Sequence, residues 1–401
     1  MGEEILNGQL QIEGETICDV GPHLGKPDYE YGPECLIFAG MGDIHIHARD
    51  DASGEEAYKE DLATASQAAI HGGVVHVADM PNNPRAPVDD VSYAEKQEVL
   101  ANRRVPIDVT LYAGIGPGTR PLSKPVPYKA YMGPSVGKLF FSTLAQLDET
   151  LAHYRGCDVS FHCEDPELME KHKHAVRHED RRPPECETSA TRFALAMIEK
   201  HHLQGKLCHY SVGEGLPLIR EAKQRGLPVT CEVTPHHLYY DLTQVTEGNR
   251  QLMQMNPPLR MLSDRLAMLE ALRDGTLDYL ATDHAPHTLA EKAKGVSGQP
   301  HLDTYAPFVT WLLLEQQFTP QQVARFCCEN PGRFVNPYVS PRKFGKLETG
   351  YTASLTILNL DRSTTIRRED LKTKCGWSPF EGVTFPGSLE AIFVRGNLVR
   401  A

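Results

Sequence analysis

The 401-residue sequence predicts an α/β fold, a (β/α)8 TIM-like barrel carrying a small β subdomain. Three observations carry that expectation. From about residue 41 to 335, short apolar runs alternate with longer helical stretches, the pattern of parallel βαβ units. Eight of the runs are strand candidates, ending near His47, Met80, Ala113, Met132, His162, His209, Val233 and Asp283. Residues able to do chemistry stand at several of these ends, where a barrel of this kind builds its site.

Taken in order, residues 1–40 hold short alternating stretches, Leu10-Gln11-Ile12 and Thr16-Ile17-Cys18-Asp19-Val20, broken by glycine and proline. They read as small β elements. The apolar run Cys35-Leu36-Ile37-Phe38-Ala39 reads as a buried strand leading towards Met41. Helices are expected over 60–71, stopped by Gly72-Gly73, over the Ala-rich 188–201, over 216–224 before Arg225-Gly226, and over 265–272 near Gly275. From about 344 the pattern turns β-like again, at Ser354-Leu355-Thr356-Ile357-Leu358 and Ala391-Ile392-Phe393-Val394. Residues 1–40 and 344–401 are therefore expected to form the β subdomain and 41–343 the catalytic barrel. No internal repeat or low-complexity tract is present.

Composition excludes some classes of function. A formal charge of −12 without a long basic block argues against a nucleic-acid partner. No apolar run approaches the length of a membrane span. The acidic start, Met1-Gly2-Glu3-Glu4, lacks the layout of a signal peptide, and Leu6 removes a myristoylation reading of Gly2. Ten scattered cysteines with no CxxC pair fit reduced thiols. A cytoplasmic protein acting on a small molecule is the expectation. An acidic protein that binds an anionic substrate needs local cations, and Arg49 fits that need.

The most informative stretch is Asp43-Ile44-His45-Ile46-His47-Ala48-Arg49. Alternate strand residues share a side, so His45 and His47 point the same way and can chelate a divalent metal. Arg49 continues the alternation and could fork onto a substrate carboxylate. An isolated His-x-His is also compatible with a plain strand. His162, His209 and Asp283 at other strand ends shift the balance towards a metal site, because a barrel gathers such ends around one mouth. Lys129 lies in an apolar strand, Val126-Pro127-Tyr128-Lys129-Ala130-Tyr131-Met132. Either its ammonium snorkels to the surface, or its amine carries carbon dioxide as a carbamate, an anion that can bridge two metals.

These residues belong to a longer ordered series: Asp43-x-His45-x-His47-x-Arg49, Met80-Pro81-Asn82, Lys129, His162-Cys163-Glu164 and Cys208-His209. It continues with Cys231-Glu232-Val233-Thr234-Pro235-His236-His237-Leu238, Asn256-Pro257-Pro258-Leu259-Arg260 and Asp283-His284-Ala285-Pro286-His287. Over about residues 40 to 335 the chain resembles the dihydroorotases of the amidohydrolase superfamily. The resemblance implies two zinc ions per subunit. His45, His47 and Asp283 would hold one, His162 and His209 the other, with carbamylated Lys129 as the bridge. It further implies that Arg49 and Asn82 clamp the substrate carboxylate and that His287 adds a contact. Asn256 would hold the dihydropyrimidine ring, and Asp283 would serve as general acid and base. The implied reaction is the reversible cyclisation of N-carbamoyl-L-aspartate to L-dihydroorotate, in de novo pyrimidine biosynthesis. The implied assembly is a homodimer, with association with other enzymes of the pathway as a family trait.

Arg49 with Asn82 separates this reading from allantoinases and hydantoinases, whose rings give no reason for such a clamp. On its own, Asn82 also reads as a turn residue after Pro81. A catalytically silent scaffold is the alternative from another class, and complete retention of the ligands argues against it. Three departures stand out. Gly133-Pro134-Ser135-Val136-Gly137-Lys138 replaces a loop with Thr or Asp substrate contacts. His301 replaces a glycine, altering a backbone contact or adding a side-chain one. Asn83 replaces the commoner threonine. Cys208 with Glu232 is a candidate extra metal position. Cys327-Cys328, Trp311 and Trp377 read as packing.

Overall fold

The computed structural model describes residues 7–133 and 139–400. Two strands open the chain, β1 (Gln9–Glu13) and β2 (Thr16–Gly21), paired as an antiparallel hairpin. Next comes β3 (Cys35–Ala39), which pairs antiparallel with residues 355–359 near the other end of the chain. It is not buried throughout, since Ile37 is 38% exposed. The reading of Cys35–Ala39 as a buried strand is thus corrected. An apolar run on a sheet with one face outward looks the same in sequence as one covered on both. At Gly40 the chain turns into the barrel, and a Cβ there would lie 2.2 Å from Val75 Cγ2, so only glycine passes.

The barrel strands are β4 (Met41–Ile46), β5 (Val74–Asp79), β6 (Asp108–Leu111), β7 (Ala113–Ile115), β8 (Tyr128–Tyr131), β9 (Asp158–His162), β10 (Gln204–Leu207), β11 (Val229–Val233) and β12 (Tyr279–Leu280). They pair in chain order and in parallel, in the runs β4-β5-β6 and β7-β8-β9-β10-β11-β12. β4 and β5 are buried at every position, as parallel strands covered on both faces must be. β6 and β7 are one stave interrupted at Tyr112, whose N–H donates to Asp79 O (3.0 Å) and whose hydroxyl donates to Ile44 O (3.1 Å). That leaves eight staves. The last joins the first through a parallel bridge between Ile46 and His284, and through the His47 N–H donating to His284 O at 2.8 Å. Asp43 stitches the same seam, accepting from the Thr282 N–H (3.1 Å) and from the Thr282 hydroxyl.

The helices follow their capping chemistry. Leu62–His71 starts two residues after its expected beginning, because Asp61 accepts from the Thr64 N–H at 2.8 Å and forms the N-cap. Pro184–His201 starts earlier than expected, since Pro184 sits in the first turn, where its missing N–H costs nothing. Leu216–Gln224 falls where the sequence places it. Leu262–Asp274 runs past the expected 265–272 until Gly275, at φ 82°, ends it. Asp90–Arg103 and Tyr305–Leu314 are further helices, the second buried from Tyr305 to Leu313.

After the barrel, β13 (Leu355–Asn359), β16 (Ser388–Val394) and β17 (Asn397–Arg400) extend β3 into a four-stranded antiparallel sheet, ordered β17-β16-β13-β3. Between them, β14 (Thr364–Thr365) and β15 (Thr384–Phe385) form a small hairpin. Arg342 and Arg395 pin this end of the chain to the barrel by donating to the two carboxylate oxygens of buried Asp108, at 2.8 and 2.9 Å. Cys327, Cys328, Trp311 and Trp377 are buried, and all ten cysteines are free. Among the described residues, no helix is long and apolar enough to cross a membrane. Of the altered loop after Met132, residues 134–138 lie outside the described residues.

Candidate active site

His45 closes β4 from within the strand and His47 stands one residue beyond its end. Their Nε2 atoms converge on one oxygen of Asp283, at 3.2 Å from His45 and 3.0 Å from His47. The opposite ring nitrogens are engaged: His45 Nδ1 meets Glu232 Oε1, and His47 Nδ1 lies 2.6 Å from Asn82 Oδ1. Those acceptors put each histidine's proton on Nδ1. Each Nε2 is then a bare lone pair aimed at a carboxylate oxygen. Burial pushes His45 down to about 4 even though Glu232 opposes the shift, and burial lowers His47 as well. Both rings are therefore neutral.

The second half of the cluster comes from β9 and β10. His162 Nε2 donates to Glu164 Oε2 at 2.7 Å, so its Nδ1 is a lone pair, 2.9 Å from His209 Nε2. Burial opposes ionisation of Glu164, yet Arg182 and His162 hold its carboxyl near 2. The His209 and His45 rings stand 5.4 Å apart. Ligand atoms of His45, His209 and Asp283 all lie within 4.8 Å of one another.

Lys129 faces this cluster from β8. It is wholly buried and its Nζ has no hydrogen-bond partner; the ring of Tyr131 lies 5.3 Å away. The snorkelling alternative is thereby removed, since the amine does not reach solvent.

Arg49, Asn82 and Asn256 line the same pocket as the histidines, Lys129 and Asp283. His287 stands behind Arg49, whose Nη2 donates to His287 Nε2 at 3.2 Å, and it is not among the pocket-lining residues. Arg49, His209 and Asp283 take left-handed backbone angles, φ 57°, 37° and 48°. Such angles are uncommon outside glycine and asparagine and cluster at functional sites. His301 is buried, and its Nε2 meets His236 Nδ1 (2.8 Å) and Gln299 Oε1 (3.2 Å), while its N–H donates to His284 Nδ1 at 3.0 Å. It gains side-chain contacts and stays outside the pocket lining.

Sequence reasoning named Glu232 only as an extra metal position with Cys208 and Glu164 only as part of a motif, and missed that both stand behind the histidine rings. Glu232 accepts from His45, from Lys206 and from the His209 N–H (3.1 Å). Cys208, Glu232 and His45 do present ligand atoms within 4.8 Å of one another, but Lys206 already supplies a cation to Glu232. Glu164 does the same service for His162. Lys292 was also missed: its ammonium donates to the carbonyls of Gln254, Val296 and Gly298 at 2.7, 2.8 and 2.9 Å, fixing the pocket wall beside Asn256. The available signal was position, since Glu164 and Glu232 both stand within two residues of a strand end.

With strand-end histidines, a carboxylate and a buried lysine on one barrel mouth, the chain belongs to the amidohydrolase family, whose description matches residues 36–399. Within that family it is similar to proteins named dihydroorotase. It is 31% identical to the one from Pyrococcus furiosus over 402 residues, covering 100% of this chain and 90% of the relative. It is 32% identical to the one from Staphylococcus aureus strain N315 over 428 residues, covering 99% and 97%. Among solved structures, the L-hydantoinase of Arthrobacter aurescens superposes with a TM-score of 0.85 at 22% identity, over 98% of this chain and 92% of that one. The dihydropyrimidinase of Brevibacillus agri NCHU1002 gives 0.84 at 19%, over 98% and 91%. These two share the α/β barrel fold.

Proposed function

We propose that the protein is a dihydroorotase, interconverting N-carbamoyl-L-aspartate and L-dihydroorotate in pyrimidine biosynthesis at a site for two zinc ions. The observation that carries this reading is the pairing, in one pocket, of a lone-pair cluster with a buried arginine. The donor set fits divalent metal: His45 Nε2, His47 Nε2 and Asp283 Oδ1, two imidazole nitrogens and a carboxylate oxygen, converge, each nitrogen within 3.2 Å of the oxygen. His45, His47 and Asp283 would hold one ion and His162 with His209 the other. Lys129, as its carbamate, would bridge them, and its buried, unpartnered amine supports that role. Glu232, Asn82 and Glu164 fix the rings from behind, as carboxylate and amide partners do for metal-ligating histidines. When bound, the ions supply Lewis acidity at the ring amide and acidify water.

The chain's own groups do the rest. Water adds to the ring carbonyl carbon and the ring C–N bond breaks. Asp283, ionised at neutral pH, takes the proton from the water and returns it to the departing nitrogen. The reverse path closes the ring through the same proton positions. Arg49 and Asn82 grip the carboxylate and Asn256 faces the ring. Arg49 is what favours dihydroorotate over rings that lack a carboxylate.

The test is an assay of L-dihydroorotate hydrolysis beside a metal count on the same sample. Turnover with about two metals per chain is expected. Faster turnover of hydantoin or dihydrouracil would replace this reading with another cyclic amidohydrolase. A chain without metal and inert after zinc addition would make it a silent scaffold.

A further inference from the structure

We propose that Glu56 competes with the substrate carboxylate for Arg49, and so sets how tightly the site holds a carboxylated ring. This rests on the dihydroorotase reading and adds a specificity determinant to it. The Arg49 guanidinium is only 2% exposed, and its Nε and Nη1 have no hydrogen-bond partner. Its Nη2 donates to His287 Nε2. Because arginine only donates, that nitrogen must accept, while Nδ1 faces both Lys59 Nζ at 3.5 Å and Glu291 Oε2 at 3.7 Å, and burial with the neighbouring Arg49 and Lys59 cations disfavours a second proton on the ring. His287 is therefore a neutral partner that holds the guanidinium in place without countering its charge.

The counter-charge comes from Glu56. Its Oε2 is 4.0 Å from Arg49 Nη1, is buried, and has no hydrogen-bond partner of its own. The other oxygen, Oε1, accepts from Lys59 Nζ at 2.8 Å. Lys59 is buried and itself meets Glu291 Oε1 at 3.2 Å. The main chain beside it is anchored too, with Lys374 Nζ donating to Ala57 O at 2.6 Å. Glu56 is thus aimed at Arg49 by a fixed lysine. It stands too far to form a hydrogen bond and near enough to attract. A ligand carboxylate accepting from Nη1 comes beside that oxygen, and two anions then share one guanidinium. The second anion weakens the binding of the first.

The experiment uses the metal-loaded enzyme and its Glu56→Gln variant. Both the KM for L-dihydroorotate and the calorimetric Kd of orotate, a planar carboxylated ring that is not hydrolysed, are expected to fall about tenfold, equivalent to about 1.4 kcal/mol. Glu55→Gln is the control. It removes the same charge from an exposed neighbour and is expected to leave both constants unchanged. Unchanged or raised constants in Glu56→Gln would overturn the proposal, as would an equal fall in Glu55→Gln. If the wild type handles both ligands and Glu56→Gln tightens neither, only this inference fails. If the wild type neither turns over dihydroorotate nor binds orotate, the functional reading fails with it.

Discussion

Asp283 meets two histidine nitrogens, and the proposed reaction passes a proton through it, so single-atom changes there are the sharpest probe of that proposal. Asp283→Asn keeps the shape and is expected to lower kcat by about 10²–10⁴-fold or more, the usual contribution of a positioned acid–base group. Steady-state hydrolysis of dihydroorotate measures it, and near-normal kcat would remove Asp283 from the proton path. Arg49→Met is expected to raise KM far more than it lowers kcat, because in the proposed function the guanidinium grips a part of the substrate that does not react. A different residue gives a pH effect outside the site. His76 is buried against Phe344, neither ring nitrogen has a hydrogen-bond partner, and burial lowers it from 6.5 to about 3. Its folded-state pKa lies below the unfolded one, so the neutral ring's contribution is complete above about 6.5. That stability is lost as pH falls from there towards about 3, at about 1.4 kcal/mol per pH unit. His76→Leu should flatten the thermal-midpoint profile in that window by this amount. Identical slopes in the two proteins would contradict it. At this scale the sequence exposed His45, His47, His162, His209 and Asp283, because ligand-type residues at strand ends form a visible series. It hid the role of Glu232 and Glu164, because a carboxylate holding the back of an imidazole obeys no spacing rule.

Strands β4 and β5 lie against each other with no spare volume, and Gly42 shows how little. A Cβ at that position would meet His76 Cε1 at 1.9 Å, inside the first barrel strand. Gly42→Ala is therefore expected to destabilise the fold by about 2–3 kcal/mol, the upper part of the usual cost of overpacking. Denaturant unfolding checks it, and a shift below about 0.5 kcal/mol would mean the ring moves aside freely. The barrel strands were legible for a related reason: a strand covered on both faces must be apolar along its length, and the helical stretches on either side mark where it stops. Helix Tyr305–Leu314 was not, because a segment buried almost all round loses the 3.6-residue alternation that marks a helix. Strand β3 misled for the opposite reason. Its side chains are apolar even where one of them, Ile37, faces outward.

Across the whole molecule, metal and fold are expected to be linked. Lone pairs of His45, His47 and Asp283 that face one another repel, and a bound cation relieves that repulsion only in the folded chain. Prolonged chelation should therefore abolish turnover and also lower the thermal midpoint, with zinc restoring both. At a free metal concentration about 1,000 times Kd, the stabilisation is about 4 kcal/mol per site. Loss of activity without any change in midpoint would place the metal elsewhere.

The seam between the first and last staves has a temporal consequence. Thr282 donates to Asp43 across 239 positions of sequence, and His45 and His47 wait for Asp283 over a similar stretch. A nascent chain still lacking its final stave also lacks Asp283, the carboxylate that faces the paired imidazoles in the full chain. If the proposed function holds, turnover arrives only with ring closure, and shortened translation products that end before Thr282 are expected to be inert however much of their helix and strand they have already formed.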